Sequence, residues 1–229
     1  MLDWLNFALA LGLFLISHRL PAMLGVKARA EEALGARGYT VAFSVGSLAL
    51  LYWVIVAAGR APHVELWPPT GWSRWLVNIA MPVAGLLAAF GVAAPNPFAF
   101  EGRRAGFDPD RPGIAGLTRQ PLLWALVLWS GAHLAANGDL AHVVFFGLML
   151  GFSVAGMGIV ERRRRRAMGP AAWLRLTART GLVPGAALLA GWWRPEGRPS
   201  GLRLGLWLLA WAGLWHLHAP VIGFWPGAW

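Results

Sequence analysis

Residues 140–166 read LAHVVFFGLMLGFSVAGMGIVERRRRR. From Leu140 to Val160 there is no Asp, Glu, Lys or Arg, and at about 1.5 Å of rise per residue the run is long enough to cross the roughly 30 Å apolar layer of a bilayer. The chain then turns abruptly basic, from Arg162 to Arg166. An apolar run closed by a block of arginines reads as a membrane span with its topology anchor, because basic residues resist translocation. Reading the same block as a contact for nucleic acid or anionic lipid requires a ligand, which the anchor reading does not.

The same signature recurs on both sides. Leu2 to Ala22, Tyr39 to Ala58, Trp75 to Ala94, Pro121 to Ala136 and Leu202 to Phe224 are each mostly apolar and close to span length. Leu182 to Trp193 is too short to cross comfortably and reads as a re-entrant or tilted piece. Met1-Leu2-Asp3 lacks the basic start of a signal peptide, so the first segment is expected to be a permanent span. Composition agrees: of 229 residues, 57% are hydrophobic and 13% charged, about half the charged share of a soluble domain. A water-soluble globule and a disordered chain are both excluded. With no cysteine, disulfides, zinc thiolates, iron–sulfur clusters and cysteine nucleophiles are excluded too.

The net charge of +10 lies in the loops. Arg19, Lys27, Arg29 and Arg37 follow the first span, Arg103, Arg104, Arg111 and Arg119 the third, and Arg162 to Arg166, Arg175 and Arg179 the fifth. If Leu182 to Trp193 does not cross, Arg194, Arg198 and Arg203 join that side, leaving only Arg60 and Arg74 opposite. The expected architecture is therefore an all-α, polytopic integral membrane bundle of six transmembrane helices plus a short re-entrant or seventh segment, with the N-terminus outside. Residues 1–229 read as a single domain with the lipid bilayer as its partner. Lys27 to Gly38 suits a short cytoplasmic extension of the first helix, and the Pro and Gly residues between Ala94 and Asp110 break helix. Trp67-Pro68-Pro69 and Trp72 read as interfacial anchors.

Every carboxylate falls in a loop or at a segment end, which leaves hydrolytic and ATP-driven chemistry with little support. Histidine remains. His18, His133, His142, His216 and His218 lie within or at the ends of apolar segments, and His63 in a loop. An imidazole in lipid needs a hydrogen-bond partner or a metal. His18 continues a helical stripe of Phe7, Leu11 and Phe14, while His133 has Trp129 one turn before it, Asn137 one turn after, and Ser130 alongside. Apolar walls around an imidazole suit a flat porphyrin whose iron takes a nitrogen, although the same stripes serve equally as core or lipid-facing surface. His216 and His218, two residues apart, face nearly opposite ways on a helix, and Pro220 leaves the His216 carbonyl without its usual partner.

Gly116-Leu117-Thr118-Arg119-Gln120-Pro121, then Trp129-Ser130-Gly131-Ala132-His133 and Asn137-Gly138-Asp139, resemble the NnrU family of bacterial membrane proteins, relatives of 15-cis-zeta-carotene isomerase. Ser17-His18-Arg19-Leu20-Pro21-Ala22, the Glu161 to Arg166 run and His218 to Pro226 support the likeness. It implies a polytopic helical protein of the bacterial inner membrane, linked to denitrification and nitric oxide metabolism. The isomerase relatives hold haem b through two histidines, which match His18 and His133. The resemblance thus implies haem b on those two residues, with Phe14 and Trp129 against it and Ser130 or Asn137 orienting the His133 ring. Three functions follow: a haem protein linked to redox or nitric oxide, a cis-trans isomerase of a long apolar polyene, and a methyltransferase. The last comes from a second likeness. Arg119-Gln120-Pro121, Glu161 and Met168-Gly169-Pro170 resemble the isoprenylcysteine methyltransferase type, which binds S-adenosylmethionine.

Two departures stand out. Gln120 replaces the family's usual histidine, and Ser130 replaces the thiol that the plant isomerases carry three positions before the second ligand. Depth is a further constraint. Counted from the span ends at 1.5 Å per residue, His18 lies about 6 Å and His133 about 18 Å from the cytoplasmic edge, an offset of about 12 Å. That offset leaves His218 open as an alternative partner for His133.

Overall fold

The computed structural model describes residues 1–100 and 102–227, with only the backbone for 19–23. Glu101 and the side chains of the Arg19-Leu20-Pro21-Ala22 part of the first-helix motif lie outside the described residues. Among the described residues nine helices follow one another: α1 (Leu2–Met23), α2 (Val26–Arg60), α3 (Gly71–Gly91), α4 (Ile114–Leu117), α5 (Pro121–Ala136), α6 (Leu140–Met168), α7 (Pro170–Thr177), α8 (Ala186–Leu189) and α9 (Gly201–Ile222). Among the described residues there is no strand, only isolated bridges. Helices α2, α3, α6 and α9 are long and apolar enough to cross a membrane, and α5 and the Leu2–His18 part of α1 are shorter apolar helices. Large apolar side chains face outward along them, Leu206, Leu209 and Leu217 of α9 among them, and no residue of α9 is buried.

The boundaries fall close to those expected except at the start of α2, the end of α3 and the end of α6, which continues through the arginines to Met168. Lys27 to Gly38 belongs to the second helix, not the first. Gly25 adopts the left-handed conformation (φ 69°) between α1 and α2 and breaks the first helix before the charged stretch begins. A further left-handed glycine, Gly35 (φ 70°), kinks α2 within that stretch. The third apolar segment leaves the helix at Gly91 rather than at Ala94, as the chain turns toward Pro95. Leu182 to Trp193 is helical only over the four residues of α8, far short of a span.

The chain forms two compact units, residues 1–68 with 137–145, and residues 69–136 with 146–227 of the described chain. In the first, α1 packs on α2 through buried Phe7, Ala10 and Leu11 on one side and Val54, Ala57 and Ala58 on the other. The Trp53 indole N–H donates to Asn6 Oδ1 at 3.2 Å. The Asn137-Gly138-Asp139 turn closes this unit. The Gly138 carbonyl accepts from the Leu66 and Trp67 amides, and the Leu140 amide donates to Val64 O at 2.9 Å. A Cβ on Gly138 would collide with the Trp67 carbonyl, so only glycine fits this approach.

In the second unit, α3 packs on α5 and α9. Burying apolar groups gains little transfer free energy against lipid, so close approach of small residues carries such contacts. The α3–α5 seam follows that rule, with Ala84, Leu87 and Ala125 buried at its centre. Two tryptophans rest on bare backbone in this unit: Trp207 lies where a Cβ of Gly85 would be, and Trp193 where a Cβ of Gly116 would be. A second cluster, Phe98, Ala115 and Trp173 with Phe107, Met168 and Leu176, anchors the 95–113 loop against α7.

Candidate functional site

Two arrangements of polar side chains stand out in this apolar chain. The first is a pair of histidines set on helices among aromatic rings. On α1, the stripe expected from the sequence is present: Phe7 and Leu11 are buried, and His18 ends the row. The His18 ring lies 4.7 Å from the Phe14 ring and 5.5 Å from that of Phe43, edge-on to the latter. Its Nδ1 is 2.7 Å from the Phe14 carbonyl. A carbonyl only accepts, so in that bond Nδ1 carries the proton, and in the neutral ring Nε2 carries the lone pair.

His133 on α5 repeats the geometry. Its Nδ1 donates to the Trp129 carbonyl at 2.8 Å, and its ring is 5.8 Å from Trp129 and 5.1 Å from Phe146. Helical spacing explains both cases, since a side chain reaches back to the carbonyl four residues earlier. The buried Ser130 hydroxyl donates to Leu126 O at 2.6 Å. The carbonyl of Trp129 is one group that orients the His133 ring, and Asn137 sits just past the end of α5. His18 belongs to the first unit and His133 to the second.

The other histidines differ. His142 Nδ1 is 2.6 Å from Asp139 Oδ2, and His63 is exposed 3.8 Å from Glu65. His216 is exposed beside Trp211 and Trp215. His218 Nδ1 donates to the Phe224 carbonyl at 2.6 Å, the same kind of ring-to-carbonyl bond. No group of three or more His, Asp or Glu that could hold a metal ion occurs among the described residues.

The second arrangement is a polar knot around Thr118-Arg119-Gln120. The Arg119 guanidinium grips Glu161 of α6 through two bonds of 2.9 Å, Nε to Oε1 and Nη2 to Oε2, with side chains only 14% and 15% exposed. Nη1 reaches Thr180 Oγ1 at 3.1 Å, and the guanidinium lies 5.6 Å from the Trp173 ring. The Thr118 hydroxyl and the Trp124 indole both donate to the Leu182 carbonyl, at 2.8 and 2.9 Å. Asn96 Oδ1 accepts from the Phe98 and Ala99 amides while its Nδ2 donates to Arg119 O. Arg164 donates to the Ala99 and Phe100 carbonyls. Gln120, where the family usually has histidine, is buried; its Nε2 donates to Phe98 O at 2.9 Å, and its Oε1 has no partner among the described residues.

Asn96, Thr118, Thr180 and the Leu182 carbonyl escaped the sequence reading. Pro95-Asn96-Pro97 looks like a helix break and nothing more, and a carbonyl acceptor leaves no trace in residue type. Both oxygens of Glu161 and three nitrogens of Arg119 are engaged within the knot. Its chemistry is that of a clamp joining α5, α6 and the 95–100 and 180–182 segments.

The histidine frame, the Thr118-to-Pro121 clamp and the Asn137-to-Asp139 turn lie along one chain that can be compared as a whole. No curated protein and no solved structure matches it. The NnrU protein family matches from Asn6 to Pro226. With nearly the full length matched, including both histidines and the clamp, the chain belongs to the NnrU family.

Proposed function

We propose that this NnrU-family chain is a multi-pass protein of the bacterial inner membrane that carries haem b, with His18 and His133 as iron ligands, in a role linked to redox or nitric oxide. The topology of the proposal is six spans, a re-entrant Leu182 to Trp193 piece and an N-terminus outside. It rests on the four long apolar helices, the two shorter ones and the basic loops.

One observation carries the haem reading: both histidines have Nδ1 bonded to the carbonyl four residues back. The bond fixes the tautomer and the ring direction, as outer partners of ligating imidazoles commonly do. Phe14 and Phe43 stand beside His18, and Trp129 and Phe146 beside His133, apolar rings of the kind that wall a porphyrin. Bound there, haem b supplies an iron able to exchange one electron and to meet small diatomic ligands. The protein fixes the direction of each imidazole through its Nδ1 bond.

The test is an optical spectrum of the purified protein with and without dithionite. A Soret band that is lost or strongly reduced in His18→Ala and in His133→Ala, and retained in His216→Ala, is expected. A colourless protein that is fully active in its host would refute the reading.

A further inference from the structure

The five consecutive arginines at the end of α6 are not equivalent. Arg164 turns to the Ala99 and Phe100 carbonyls. Arg162, Arg165 and Arg166, related by three- and four-residue steps, share a face and line an open pocket of about 320 Å³ together with Gly169 and Pro170. The adjacent carboxylate, Glu161, is held at both oxygens by Arg119. Among the described residues no carboxylate pairs with Arg162, Arg165 or Arg166. Helix α7 starts at the pocket rim with no side-chain cap, so its first amides add to the positive field.

Depth and the surface below the pocket identify the ligand class. Arg162 is 22 residues beyond Leu140, about 33 Å at 1.5 Å per residue, just past a core of about 30 Å and at headgroup level. On the same helix, Phe152, Ala155, Ile159, Arg162 and Arg166 follow at steps of three and four residues and so form one stripe. Phe152 and Ile159 are more than half exposed. A lipid-facing apolar strip leading into an unneutralised arginine pocket matches a molecule with an acyl chain below and a phosphate above.

We propose that Arg162, Arg165, Arg166 and the Gly169-Pro170 turn form a headgroup site for an anionic phospholipid, whose phosphodiester takes the guanidinium forks while an acyl chain lies along Phe152 and Ile159. The inference depends on α6 lying in a membrane and is independent of haem. The topology-anchor reading of the arginine run is kept; the pocket adds selectivity to it.

Full-length protein in mild detergent is titrated with phosphatidylglycerol or phosphatidylcholine, and retained lipid is counted by native mass spectrometry. Wild type should retain phosphatidylglycerol in preference to phosphatidylcholine. R162Q/R165Q/R166Q should lose at least about tenfold in phosphatidylglycerol affinity, since each basic residue near an anionic lipid contributes appreciably. The charge-matched R111Q/R194Q/R198Q should keep wild-type affinity. R162K/R165K/R166K preserves net charge and the topology signal, so it guards against misfolding of the Gln variant; it should still weaken binding, because lysine lacks the planar fork. Equal loss in the charge-matched control, full affinity in the Lys variant, no preference over phosphatidylcholine, or displacement of the lipid by equimolar inorganic phosphate would each overturn the proposal.

Discussion

Glu161→Gln is the most informative perturbation of the clamp. The carboxylate accepts two charge-assisted bonds of 2.9 Å from Arg119 with both side chains about 85% buried. The amide keeps one oxygen and loses the charge. Two bonds worth about 1.5–3 kcal/mol each become one, from the guanidinium to a neutral amide oxygen, worth about 1.5 kcal/mol, while the Arg119 charge stays in place with its partner gone. A cost of about 3 kcal/mol is therefore expected. Arg119→Met should cost at least as much, because it also drops the Thr180 contact. In the double variant R119M/E161Q neither charge remains, and the loss should fall short of the sum of the single losses by about 2–3 kcal/mol. Unfolding by SDS in dodecyl maltoside micelles, followed through the 15 tryptophans, measures all four states. A single-variant cost below about 0.5 kcal/mol, or losses additive within that margin, would refute the description of the pair as a buried clamp.

Other expectations follow from the same geometry. Gly138→Ala forces the turn off the Trp67 carbonyl; it should cost about 2 kcal/mol or more and speed hydrogen exchange at the Leu66 and Leu140 amides before anywhere else. Gln120→Met removes the bond to Phe98 O but also the unpartnered buried Oε1, so the two effects offset and the net change in SDS unfolding should stay within about 1 kcal/mol. Gly116→Ala should expel Trp193 from its seat, seen as a red shift in tryptophan emission that is absent in Trp193→Phe.

Helix positions were legible because lipid imposes a simple rule: backbone polar groups must be satisfied internally, so an apolar run of the right length is a helix. That rule located α1, α3, α5 and α9 to within a few residues, and it located the start of α6, which runs eight residues past Val160 to Met168. It failed at Lys27 to Gly38 because the run is polar enough to attach to either neighbour, and the deciding residue, Gly25, acts through backbone conformation alone. The histidines were legible as candidates because few polar groups occur in these segments. Their tautomers were not, since those depend on the Phe14 and Trp129 carbonyls. Arg119 and Glu161 were picked out by motif resemblance, 42 residues apart. Nothing in residue type announced that Thr118, Asn96 and Leu182 would complete the knot around them.

Trp207 on Gly85 and Trp193 on Gly116 carry a consequence for how this family drifts. Each indole fills a volume that a single methyl group would claim, so the two members of a pair are not free to vary separately. In other chains of the family, a side chain at the position of Gly85 should accompany a smaller residue at that of Trp207, and likewise for Gly116 and Trp193. Substituting both partners together, as in G85A/W207L, should recover stability that G85A alone forfeits.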